Sequence, residues 1–147
     1  MSGHKFTYAS RLADLLADRR DQVREPRQWH ERILEGLSFG AVEKVKAHAS
    51  LTDAEIARLL GMGEATLRRA RASGSALDAF TSDRLYRLSK AIAIAEEVLE
   101  GTDNAMSWLR RPQPALGGQL PLELLVTQAG ADQVETLLRR IDYGVYT

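Results

Sequence analysis

The chain has 147 residues, 44% hydrophobic and 27% charged, the composition of one or two small globular domains. It has no cysteine, and its longest apolar run, residues 91–95, is far below the roughly 20 residues of a membrane span. Disulfides, thiolate metal sites, a cysteine nucleophile and a membrane partner are therefore excluded, and with no apolar leader at the start a cytoplasmic protein is expected.

The 20 basic and 20 acidic residues cancel overall but not locally. Residues 1–50 carry nine basic and seven acidic residues, residues 51–95 seven and five, and residues 96–147 four and eight, for nets of +2, +2 and −4. Six basic residues (Arg68, Arg69, Arg71, Arg84, Arg87, Lys90) stand against two acidic ones between positions 66 and 90. A basic middle and an acidic end are expected to meet different partners.

The periodicity is helical throughout, so the expected fold class is all-α. A first helix over residues 8–24 puts Leu12, Leu15, Leu16 and Val23 on one face. That stripe must be buried on the body of the chain or on a second copy, and its place at a chain end favours a homodimer. Pro26 ends it. Helices are expected at 27–35, closed by Gly36, and at 38–48. Thr52 and Glu55 form a capping box that starts a helix to Leu60. A further helix spans 64–72, and Ser73, Gly74 and Ser75 break the chain. Thr81, Ser82 and Asp83 are expected to cap a long helix, 83–100, closed by Gly101. Its Leu85, Leu88, Ile92, Ala95 and Leu99 make a two-heptad seam that reads as core rather than coiled coil. Beyond it come a helix at 104–110 carrying Trp108, a Pro/Gly loop, a helix at 121–126, a break at Gly130 and a helix at 131–141.

Residues 53–71 have the spacing of a helix-turn-helix: small Ala57 at the crossing, Gly61 in the turn, and Ile56, Leu60, Met62 and Leu67 to lock the angle. The second helix would meet base edges and phosphates through Glu64, Thr66, Arg68, Arg69 and Arg71. The alternative is a helical hairpin with a solvated basic face. Enzyme chemistry finds no support. His4, His30 and His48 lie far apart, Glu96 and Glu97 face differently on one helix, and neither glycine-rich stretch has a phosphate-loop pattern. No catalytic residue, metal or cofactor is expected.

Three separate motifs carry a resemblance. The stretch Trp108, Leu109, Arg110, Arg111, Pro112, Gln113, Pro114, with Gly117 and Gly118 and then Pro121, Leu122, Glu123, Leu124 and Leu125, resembles the toxin-binding domain of antitoxins of the Xre/MbcA/ParS family. So do Thr127, Gln128, Ala129, Gly130 and the run Arg139, Arg140, Ile141, Asp142, Tyr143, Gly144, Val145. Gly36 and Leu37, the helix-turn-helix ending Thr66, Leu67, Arg68, Arg69, and Ser82 to Leu88 are similar to the Xre-like half of the same proteins. Gln113 and Gln128 depart from the family's usual Asn and Glu. The likeness spans residues 28–146 and implies an N-terminal segment at 1–27, an Xre-like helix-turn-helix domain at 28–95 and a toxin-binding domain at 96–147. It implies an antitoxin of a type II toxin–antitoxin system that dimerises through its N-terminal half and binds its operator DNA as an autorepressor. Its partner would be a RES-domain toxin that consumes NAD⁺, whose cleft Arg139, Arg140, Tyr143, Gly144, Tyr146 and Thr147 would cover. The competing reading is a stand-alone helix-turn-helix regulator without a toxin.

Overall fold

The computed structural model describes residues 8–16 and 26–144. Among them the chain is helical: α1 (Ala9–Leu16), α2 (Pro26–Glu35), α3 (Phe39–His48), α4 (Asp53–Leu59), α5 (Glu64–Ser73), α6 (Ala79–Leu99), α7 (Thr102–Leu109), α8 (Pro121–Leu124) and α9 (Gln128–Asp142). A 3-10 turn, Pro114–Leu116, and one isolated bridge between Gln113 and Gln119 shape the Pro/Gly loop. The all-α expectation holds for the described residues.

Several boundaries differ from the sequence reading, and three of them have a clear local reason. The long helix starts at Ala79, because Asp78 is the N-cap and accepts from the Thr81 amide. Thr81 and Ser82 are inside the helix and buried, and Ser82 Oγ accepts from the Leu37 amide at 2.8 Å. At the other end Glu100, in the left-handed region at φ 62°, closes the helix before Gly101 does. The last helix starts at Gln128 with Thr127 as its cap, whose hydroxyl accepts from the Gly130 amide. Gly130 is therefore inside α9 rather than a break. It is there because a Cβ would lie 2.0 Å from the Leu124 carbonyl oxygen, so only glycine lets α8 and α9 meet.

The centre of the molecule is α6. Its residues 91–96 are all buried, one after another, so this stretch is covered on every side rather than along one seam. Alternating Ala and Ile keep the helix thin there, so α1, α2, α7 and α9 can all pack on it. One hydrophobic cluster runs from Leu12 to Leu138 through this helix. Trp29 of α2 meets Tyr86 of α6, ring centroids 5.6 Å apart.

The N-terminal stripe is taken up by the same packing. Leu12, Leu15 and Leu16 are buried in their own chain, α1 lying against α3 and α6. Arg11 adds an ion pair to Glu97 at 3.0 Å. Each leucine buried there contributes about 1.5–3 kcal/mol to this chain's own core. The stripe therefore gives no argument for a dimer interface. Val23 lies outside the described residues.

Candidate functional site

The helix-turn-helix is built as its spacing demands. Thr52 Oγ1 accepts from the Glu55 amide at 3.0 Å, and the Thr52 amide donates to Glu55 Oε1 at 2.9 Å, closing the capping box of α4. Ile56, Ala57, Leu59, Leu60 and, from α5, Leu67 are buried against the core. That leaves Glu64, Thr66, Arg68 and Arg69 exposed on α5. Arg69 donates to Thr66 Oγ1 at 3.1 Å, which pre-orients one guanidinium along the helix.

Arg71 behaves differently from its neighbours. Its Nη2 donates to Glu43 Oε1 and to Asp53 Oδ1, both at 2.9 Å, and its guanidinium lies 5.8 Å from the centre of the Phe39 ring. The hydrogen bond from Arg71 holds the Asp53 carboxyl below its usual range, while Asp53, then Glu43, push the arginine's own pKa up. Arg71 thus anchors α5 to α3 and α4, and its charge is already answered within the chain.

The C-terminal face is organised by the Pro/Gly loop and α9. Trp108 is buried, and Gln113 donates to the Trp108 carbonyl at 3.1 Å, tying the loop to the end of α7. Val134, Leu137 and Leu138 turn α9 toward the core. Arg139, Arg140, Tyr143 and Gly144 are exposed at its end, Tyr143 by 81%. Arg140, Leu137, Thr136 and Asp132 line, with Leu116, an open pocket of about 300 Å³ between α9 and the loop. Tyr146 and Thr147 lie outside the described residues. Among those described, no group of three His, Asp or Glu side chains is placed to hold a metal ion.

The uneven charge along the chain is partly spent on ion pairs between its own helices. Arg58 of α4 pairs with Glu123 at 2.7 Å, Lys90 of α6 with Glu135 of α9 at 3.4 Å, and Arg110 with Glu55. Basic middle and acidic end therefore hold each other as well as facing outward. A further tie was not legible: His48 Nε2 lies 2.6 Å from Glu96 Oε2, and Thr102 Oγ1 donates to the same oxygen. Glu96 is 1% exposed, so this cluster closes the ends of α3, α6 and α7 around a buried carboxyl. His48 and Glu96 are 48 residues apart, and no spacing rule joins them.

Residues 28–90 match the antitoxin Xre-like helix-turn-helix domain, and residues 95–144 match the antitoxin Xre/MbcA/ParS C-terminal toxin-binding domain. Over 115 residues the chain is 31% identical to Antitoxin Xre of Pseudomonas putida, covering 78% of this chain and 71% of that one. The chain belongs to the Xre/MbcA/ParS family of antitoxins. It is also 29% identical over 118 residues to Antitoxin Xre of Yersinia enterocolitica, 80% of each chain. Prs ADP-ribosylating antitoxin of a Sphingobium species is 31% identical over 96 residues, 59% of this chain and 60% of that one. For this antitoxin the exposed α5 face belongs to the helix-turn-helix domain, and Arg139, Arg140, Tyr143 and Gly144 fall in the toxin-binding domain.

Proposed function

We propose that this antitoxin neutralises a RES-domain toxin that consumes NAD⁺ by covering the toxin's cleft with the end of α9, and that it represses its own operator through α5. The observation that carries the first half is the exposed end of α9: Arg139, Arg140 and Tyr143 are exposed on a helix otherwise anchored in the core. Tyr and Arg are the residue types that anchor interfaces. The pocket beside Arg140 offers a partner side chain a seat. A cleft that binds the pyrophosphate of NAD⁺ is electropositive, which suits a C-terminal domain of net −4, with Arg139 and Arg140 meeting carboxylates at the rim. The ADP-ribosylating chemistry in the name of the Sphingobium relative consumes NAD⁺, and is compatible with this reading. Arg139, Arg140, Tyr143 and Gly144, with Tyr146 and Thr147, are the proposed toxin contacts.

Operator binding rests on Arg68 and Arg69, exposed on a helix held at a fixed angle to α4, with Glu64 and Thr66 on the same helix. A homodimer would present two such helices to two half-sites. Its interface would then lie outside the α1 stripe. The test is co-purification with the product of the adjacent gene, followed by an NAD⁺ consumption assay with and without this chain. Suppression of consumption is the expected result. A chain that binds its operator but captures no neighbour and suppresses nothing is a stand-alone regulator.

A further inference from the structure

The seven cations of residues 51–95 sort into two groups. Arg58, Arg71, Arg87 and Lys90 each have a carboxylate within 4 Å: Glu123, Glu43 with Asp53, Asp83, and Glu135. Arg68, Arg69 and Arg84 have none among the described residues. Arg68 and Arg69 lie on α5, where a DNA contact is already proposed. Arg84 lies on α6.

Two features fix its guanidinium in place. Its Cζ sits 3.8 Å from the centre of the Phe80 ring, one turn earlier on α6. Its Nη1 lies against the turn of the helix-turn-helix, so close that a Cβ on Gly61 would be 2.3 Å away. Gly61, at φ +74°, suits the turn's left-handed backbone and also leaves room for this side chain. Gly61 precedes the N-cap of α5, Gly63, by two residues, at most about 7 Å of chain. The charge is thus added close to the positive end of the α5 dipole.

A guanidinium has five N–H donors and no acceptor capacity. Arg84 is half-buried, yet the described residues offer its donors no acceptor. Phe80, which holds it, is 65% exposed although apolar. A cation pre-set by an aromatic ring and a turn, with its donors unspent, is suited to an anion arriving from outside. We propose that Arg84, held by Phe80 against the Gly61 turn, contacts a DNA backbone phosphate and seats the N-terminal end of α5 in the groove. The proposal rests on the operator-binding reading. A phosphate contact is blind to sequence, so Arg84 sets register and affinity while α5 reads bases.

The test measures the salt dependence of binding to two duplexes, promoter DNA of the chain's own operon and a random sequence of equal length. Arg84→Gln should lower the log–log salt slope by about one and weaken both duplexes by the same factor. Arg84→Lys should keep the slope. Phe80→Ala removes only the exposed ring and should weaken both duplexes with the slope retained, so the proposal is tested even if Arg84→Gln misfolds. An unchanged slope for a folded Arg84→Gln, or wild-type affinity for Phe80→Ala, overturns the proposal while leaving the roles of Arg68 and Arg69 standing. Failure of the intact chain to bind either duplex removes the operator reading itself, and this contact with it.

Discussion

Arg110, at the end of α7, grips Glu55 in the first turn of α4 with both terminal guanidinium nitrogens: Nη1 donates to Oε2, and Nη2 to Oε1 at 3.2 Å. The same Nη2 donates to the Ser50 carbonyl at 3.2 Å. One side chain of the toxin-binding domain therefore completes the N-terminal cap of the helix-turn-helix. Arg110 is the foremost cause that holds the Glu55 carboxyl below its usual value of 4.5, against the opposing effect of burial. A depressed carboxyl contributes stability that is full above its unfolded value and is lost as pH falls through the folded one. The thermal stability lost in Glu55→Gln should accordingly be constant around neutral pH and shrink below about pH 4.5. A difference between the two chains that grows on acidification contradicts this pairing.

Gly130→Ala should destabilise the chain by about 1–3 kcal/mol or more, because the new methyl meets backbone at Leu124 rather than a movable side chain. Thermal or urea unfolding measures it. A neutral outcome would mean that α8 can slide away from α9 at little cost.

Leu15→Ala should cost about 2–5 kcal/mol of folding stability, the range for a leucine truncated in a core. Its folded fraction should sediment as the parent chain does. A variant of parental stability but lower oligomeric state would return the stripe to an interface.

The two arginine groups of α5 should separate in experiment. Arg68→Ala/Arg69→Ala should reduce operator affinity and flatten its salt slope by up to about two, with melting unchanged. Arg71→Ala should instead lower the melting temperature, since it removes the ties of α5 to Glu43 of α3 and Asp53 of α4. If the double variant binds as the parent does at the same salt, another surface reads DNA.

The local rules were legible where partners are close in sequence. Thr52 and Glu55 declare their capping box three residues apart, and Ala57, Gly61 and Leu67 declare the steep crossing of α4 and α5. What stayed hidden depends on distant residues. Arg71 looks like a third DNA-facing cation until α3 brings Glu43 to it from 28 residues away. Leu12, Leu15 and Leu16 read as an unpartnered stripe because nothing in their spacing reveals α6. Ile92 and Ala95 read as part of a seam, although the whole stretch from Ala91 to Glu96 is buried. Arg84 falls in the Ser82 to Leu88 stretch, but nothing there reveals that the Gly61 turn comes up against it.

Neutralisation by the end of α9 is tested most directly by NAD⁺ consumption of the adjacent gene product, titrated with three forms of the antitoxin. These are the intact chain, a chain lacking residues 139–147, and Arg139→Ala/Arg140→Ala/Tyr143→Ala. The triple variant keeps Ile141, which packs on the core, and changes only exposed side chains. The intact chain should suppress consumption, and both altered chains should fail to do so while still binding operator DNA. Suppression by the altered chains at the potency of the intact one would contradict the account and place inhibition on another surface.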